Sequence, residues 1–230
     1  MTKYKLTNET KVHDGITLHR IELTEDCRWG KKGTKGGWIE SMDNLGEDGW
    51  VSGNAHVYGN AKVSGNAWVY ENAEVYGDAQ VFGNAMVTGG AMVYGNAMVT
   101  GGAMVYGNAM VYGEARVYGN AMVYGEARVY GNAMVYGEVR VYGEACVWGD
   151  AKVCFKMILI GGQWDSTPMC LHLSDDVTMN MSGPGILRIG NQHKPIGEWL
   201  EDKNFKYRRY VWIFVDEYGL GDVHNCDQEK

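Results

Sequence analysis

The sequence predicts a mainly β chain: a triangular parallel β-solenoid of about six coils, with a β cap before it and a small α+β module after it. Three observations carry this. A six-residue phrase, Gly-Asn-Ala-x-Val-Tyr, recurs eighteen times from Glu47 to Cys154 without loss of register. Glycine is 33 of 230 residues and proline only 3, and the glycines fall at fixed places in the phrase. Ala and Val sit two apart within it, so on a strand both point to the same side. The chain divides at these limits into 1–46, 47–154 and 155–230.

The cap comes first. Ile16 to Leu23 alternates apolar and polar residues, as a half-buried strand does. His13-Asp14-Gly15 before it is a turn signal, so a hairpin with the Lys3–Val12 region is expected. Lys31 to Glu40 is a basic, glycine-rich stretch leading into the first coil. As a phosphate cradle it lacks the strand–loop–helix context, and a plain loop is the better reading.

In the repeat unit Gly59-Asn60-Ala61-Lys62-Val63-Ser64, Ala61 and Val63 point inward while Lys62 and Ser64 point out. Gly59 and Asn60 turn the chain, since glycine takes positive φ freely and Asn more readily than most residues. Three units make a turn of eighteen residues. Strands about 4.8 Å apart then give a prism roughly 29 Å long. No coil can bury its Val and Ala alone, so stacking builds one continuous core.

Residues eighteen apart share a face. Tyr58, Tyr76, Tyr94, Tyr112, Tyr130 and Trp148 form one unbroken aromatic column, and Met92 and Met110 form one of several methionine columns. Stacked rings stiffen a solenoid, which is the structural reading. Tyr and Met are also favoured at protein contacts, which makes these eight residues the candidate binding surface. So much outward aromatic and thioether surface predicts a homo-oligomer.

After residue 155 the strict phrase stops. Met157–Ile160 and Ile186–Ile189 read as strands, Pro195–Glu201 as a short helix anchored by Trp199 and Leu200, and Tyr210–Val215 as an apolar strand. This module caps the last coil, binds a partner, or does both.

The hexapeptide pattern resembles left-handed parallel β-helix proteins, which place an aliphatic residue at one inward position and a small one four later, as Val57 and Ala61 stand here. Arg20-Ile21-Glu22-Leu23, Gly36-Gly37-Trp38-Ile39-Glu40, Asn44-Leu45 and Gly49-Trp50-Val51 ahead of the Gly-Asn-Ala repeats resemble, more narrowly, the YdcK-like hexapeptide-repeat proteins of bacteria and phages. The resemblance covers about the first two thirds of the chain. It implies left-handed coiling and a trimer. It also implies two classes of function. One is a non-enzymatic scaffold, as a phage-encoded accessory or host-defence-interfering factor that binds itself or a host protein. The other is an acyltransferase-like trimer with its site between subunits.

That second class uses a histidine as general base. Of six histidines only His56 lies in the repeats, at an outward position where a solvent-facing side chain is expected. A γ-type carbonic anhydrase needs three zinc histidines from the coils, which supply one. His172, His193 and His224, with Cys170, Cys226, Asp175 and Asp176, match no usual metal spacing, so no metal and no cofactor is expected. Ice binding would need ranks of threonine, and only Thr88 and Thr100 stand in these columns. A net charge of -7 argues against nucleic acid. No apolar run could span a membrane, and five scattered cysteines read as reduced thiols of a cytoplasmic protein.

Overall fold

The computed structural model describes residues 3–173, 177–203 and 205–217. Tyr4–His13 (β1) and Ile16–Leu23 (β2) form the expected antiparallel hairpin. Asp14 and Gly15 turn it with φ of 49° and 78°, the pair of positive values that a two-residue hairpin loop requires. β2 then pairs with Lys35–Ile39 (β3), and β3 pairs in parallel with His56–Val57. The cap therefore extends one sheet of the solenoid, covering the edge of the first coil and moving the sheet's edge out to β1.

Gly36 and Gly37 lie within β3 and are buried. A Cβ on Gly36 would stand 2.5 Å from Ile21 Cγ1 and 2.6 Å from the Val51 carbonyl oxygen. These glycines admit close backbone packing.

The coils build three sheets, of ten, seven and six strands, in about seven turns; the ten-stranded sheet includes the antiparallel β1, β2 and β3 of the cap, and the pairing between coils is parallel. Pairing runs eighteen residues on, as in Met86↔Met104, Met92↔Met110 and Met98↔Arg116. Ala and Val at positions three and five are fully buried from Ala55 to Val153. Two backbone bonds per strand tie each coil to the next; Met92 N–H donates to Ala109 and Tyr94 N–H to Val111, both at 3.0 Å.

The coil runs on past residue 154. Ile158–Leu159 pairs with Arg140–Val141, and Gln163–Trp164 pairs with Cys146–Val147 at a spacing of seventeen. Met157 and Leu159 stand in the Ala and Val positions, 2% and 0% exposed. Phe155 stands in the glycine position with φ of 61°. The sequence pattern ends earlier than the coil because larger residues fill the inward places of this last, degenerate unit.

Beyond it lies a four-stranded antiparallel sheet of Cys170–His172, Thr178–Gly183, Ile186–Ile189 and Gln192–Pro195. Asn180 is buried and its amide donates to Ile158 O at 3.1 Å. Arg188 Nη1 donates to Lys156 O at 2.8 Å, and Ile160 N–H to Ser182 O at 2.7 Å. These bonds satisfy the last coil's orphan carbonyls and amide, so the module is a cap.

Helix α1 (Ile196–Glu201) follows, with Trp199 and Leu200 buried as expected. The stretch Tyr210–Val215, expected as a strand, instead lies in helix α2 (Arg208–Glu217). Val211, Phe214 and Val215 bury one helical face while Ile213 stays 43% exposed. A continuous apolar run carries no period, so burial on one side decided this element. Among the described residues no helix is long and apolar enough to cross a membrane.

Candidate functional site

The ten-stranded sheet carries the candidate surface. Its outward position-four column reads His56, Glu74, Met92, Met110, Arg128 and Cys146 in parallel register. Beside it runs the aromatic column of the same hexads. Tyr58, Tyr76, Tyr94, Tyr112 and Tyr130 stack with centroids 5.1, 4.9, 4.9 and 4.9 Å apart and planes within 4° of parallel. Trp148 ends the stack at 6.1 Å. Ring spacing follows strand spacing because each ring leaves the backbone at the same dihedral in every coil. A shorter stack of Tyr106, Tyr124 and Tyr142 runs along another corner.

The eight sequence-predicted surface residues thus come together on one face, but not equally. Tyr58 is 7% exposed and packs with Leu18 and Trp38 beneath the hairpin, so the first rung belongs to the cap's core. Tyr76 to Tyr130, Met92 and Met110 are half-buried, and Trp148 is 37% exposed. Burial pushes the phenols of Tyr76, Tyr94 and Tyr112 above their usual range.

The face ends at its N-terminal side in a cluster that sequence reasoning missed. His56 is not solvent-facing: it is 9% exposed, because the hairpin folds back over the column. Lys11 and His13, alternate residues of β1, point down onto it. The two imidazole rings lie 4.2 Å apart, and His13 meets Tyr58 edge-on at 5.6 Å.

Glu74, one coil further, brings Oε1 to 3.4 Å from His13 Nε2 and 3.6 Å from His56 Nδ1. Both nitrogens are buried, yet neither makes a hydrogen bond. Lys11 Nζ contacts His56 Nε2 and lies 4.5 Å over the Trp38 ring. Burial first, then the Lys11 and His13 charges, push the His56 pKa down to about 4, so the imidazole is neutral at pH 7. Among the described residues, His13, His56 and Glu74 are the group of three whose ligand atoms all fall within 4.8 Å of one another. The only sequence signal was the outward place of His56 above Glu74; 43 residues separate His13 from His56, and only the fold joins them.

In the C-terminal module His193 Nδ1 lies 3.1 Å from Ser182 Oγ, and burial raises the Cys170 thiol to about 11. Cys170 therefore stays protonated and is a poor metal ligand or nucleophile. Asp175, Asp176, His224, Cys226 and the His172 side chain lie outside the described residues.

A family model of the YdcK β-solenoid repeat matches residues 55–71, 79–93, 91–105, 115–126 and 127–143. No curated protein matches the chain. The matched segments lie within the stacked coils and hold Tyr58, Tyr94 and Tyr130 of the aromatic ladder, while Tyr76, Tyr112, Trp148, the hairpin and the C-terminal module fall outside them. The coils between residues 55 and 143 are thus built of YdcK-type β-solenoid repeats.

Proposed function

We propose that the chain is a non-catalytic scaffold whose tyrosine–methionine face packs against a second copy of itself. The observation that carries this is the half-buried ladder from Tyr76 to Trp148 alongside Met92 and Met110. Its middle coils present four apolar side chains, Met92, Met110, Tyr94 and Tyr112, and no charge, on a chain whose net charge is -7. A face with a 4.9 Å rung spacing is matched in register by another copy with the same spacing. Symmetric self-association is the commonest use of such a self-complementary patch. A like-on-like contact of this kind is isologous and closes as a dimer, so the trimer that the hexapeptide-repeat resemblance implies would need each face to meet a different surface of its neighbour.

An acyl-transfer reading finds less support. His56 lies beneath Lys11 and His13, and a base with its pKa near 4 accepts protons weakly at pH 7. Native mass spectrometry of the wild type and of a Tyr94→Ser/Tyr112→Ser double variant tests the proposal. An oligomer that becomes monomeric in the variant is expected. A monomeric wild type, or a variant that assembles unchanged, would overturn it.

A further inference from the structure

We propose that His13, His56 and Glu74 form a binding site for a divalent transition metal of the zinc class, pinning the N-terminal hairpin to the second and third coils. This goes beyond the scaffold reading and does not depend on it.

The donor set is two imidazoles and one carboxylate, which suits zinc and its neighbours and not calcium or magnesium. Tetrahedral zinc with bonds of about 2.0–2.1 Å separates its ligand atoms by about 3.3 Å. Glu74 Oε1 stands 3.4 Å from His13 Nε2 and 3.6 Å from His56 Nδ1, close to that value.

The second observation is the pair of orphan nitrogens. His13 Nε2 and His56 Nδ1 are buried and directed at one carboxylate, yet no hydrogen bond forms between them and it. A buried polar atom without a partner is costly unless something else satisfies it, and one cation would satisfy all three atoms at once. The side chains of His13 and Glu74 keep 25% and 24% exposure, which leaves a path for the ion and room for water or Asp14 as a fourth ligand. Asp14 Oδ2 already lies 3.8 Å from His13 Nε2.

Lys11 opposes the ion. A metal on His56 Nδ1 puts the ring proton on Nε2, and Lys11 Nζ, now in contact with Nε2, must turn away. Its long stem on an edge strand permits this, and its removal should favour binding.

The test uses the full-length chain, stripped with a chelator and titrated with Zn²⁺ against a chromophoric competitor. A parallel Co²⁺ titration is followed by visible absorption. One equivalent should bind, with a Co²⁺ spectrum of four-coordinate nitrogen–oxygen type. His13→Gln and Glu74→Gln should each weaken binding at least about 100-fold, the upper end of what losing a mere outer-shell partner costs. Lys11→Gln should tighten it a few-fold, which a purely structural lysine would not do. Circular dichroism checks that each variant is folded. Failure of the folded wild type to bind one equivalent overturns the proposal. So does binding that survives both ligand substitutions, which would place the ion elsewhere, for example at a cysteine.

Discussion

At Gly107 the backbone takes φ of 73°, and a Cβ there would stand 3.0 Å from Gly125 N and 3.1 Å from Gly125 O in the next coil. The same residue type recurs at this corner for two reasons, the left-handed conformation and the tight stacking of one corner on the next. Glu71 and Phe155 are the exceptions, both at φ of 61°. Glu71 is offset by its own carboxylate, which accepts from the Gly89 amide at 2.9 Å and from the Thr88 hydroxyl at 3.0 Å. Gly107 has no such compensation. Gly107→Ala should therefore destabilise the chain by about 1–3 kcal/mol, combining left-handed strain with backbone crowding. A lowered urea midpoint with an unchanged slope would show it; an unaltered midpoint would refute the account of the corner.

The aromatic ladder is the element that most distinguishes this solenoid. Tyr94 and Tyr112 are parallel within 0° at 4.9 Å, so a double-mutant cycle to Ala should return a coupling of about 0.5–1.5 kcal/mol. Additive single substitutions would mean that the rings share a column without interacting. The ladder also sets an alkaline limit. Burial raises the phenols of Tyr94, Tyr106, Tyr112 and Tyr124 above their ordinary value. The folded state holds those protons at a pH where the unfolded chain has released them. Stability from this source is fully present below about pH 10 and is lost as pH rises through the folded values. Melting temperature should fall above about pH 10, and less steeply in a Tyr94→Phe/Tyr112→Phe variant. Equal slopes for the two proteins would contradict this.

As a whole molecule the protein is a stack of nearest-neighbour contacts closed by unlike caps. The hairpin closes one end through β3, and Asn180 and Arg188 bond to the last coil at the other. Each interior coil touches only the coils on either side, so stability should scale with coil number. Deleting 113–130, one full turn of eighteen residues, keeps every column in register. That variant should fold, with a lower melting temperature and the ladder intact. Deleting only 113–118 keeps the inward Ala–Val pattern but moves every later column to the next face. It should also fold, with Tyr136 in place of Tyr130 stacking on Tyr112, Met134 in place of Arg128 following Met110, and Cys154 in place of Trp148 at the end, so self-association should persist. Loss of folding in the eighteen-residue deletion, read by circular dichroism, would show that the coils are not equivalent.

A period of six, glycine at its first place and Ala and Val two apart are local properties, and they determine the triangular coil, its inward residues and its eighteen-residue register. The tyrosine column and the hairpin around Asp14-Gly15 were legible for the same reason: turn chemistry and strand alternation act within a few residues. Three features depended on distant contacts. Tyr210–Val215 became helical because Val211, Phe214 and Val215 bury one face against the core while Ile213 stays exposed. The last coil continued past residue 154 because Met157 and Leu159 fill space that the strict phrase assigns to Ala and Val. His56 was buried, and joined to His13 and Glu74, because the hairpin folds back over the outer face. No periodicity encodes that fold-back. It follows from the burial of Leu18, Trp38 and Tyr58 against one another, a free energy that exists only once the coils have formed.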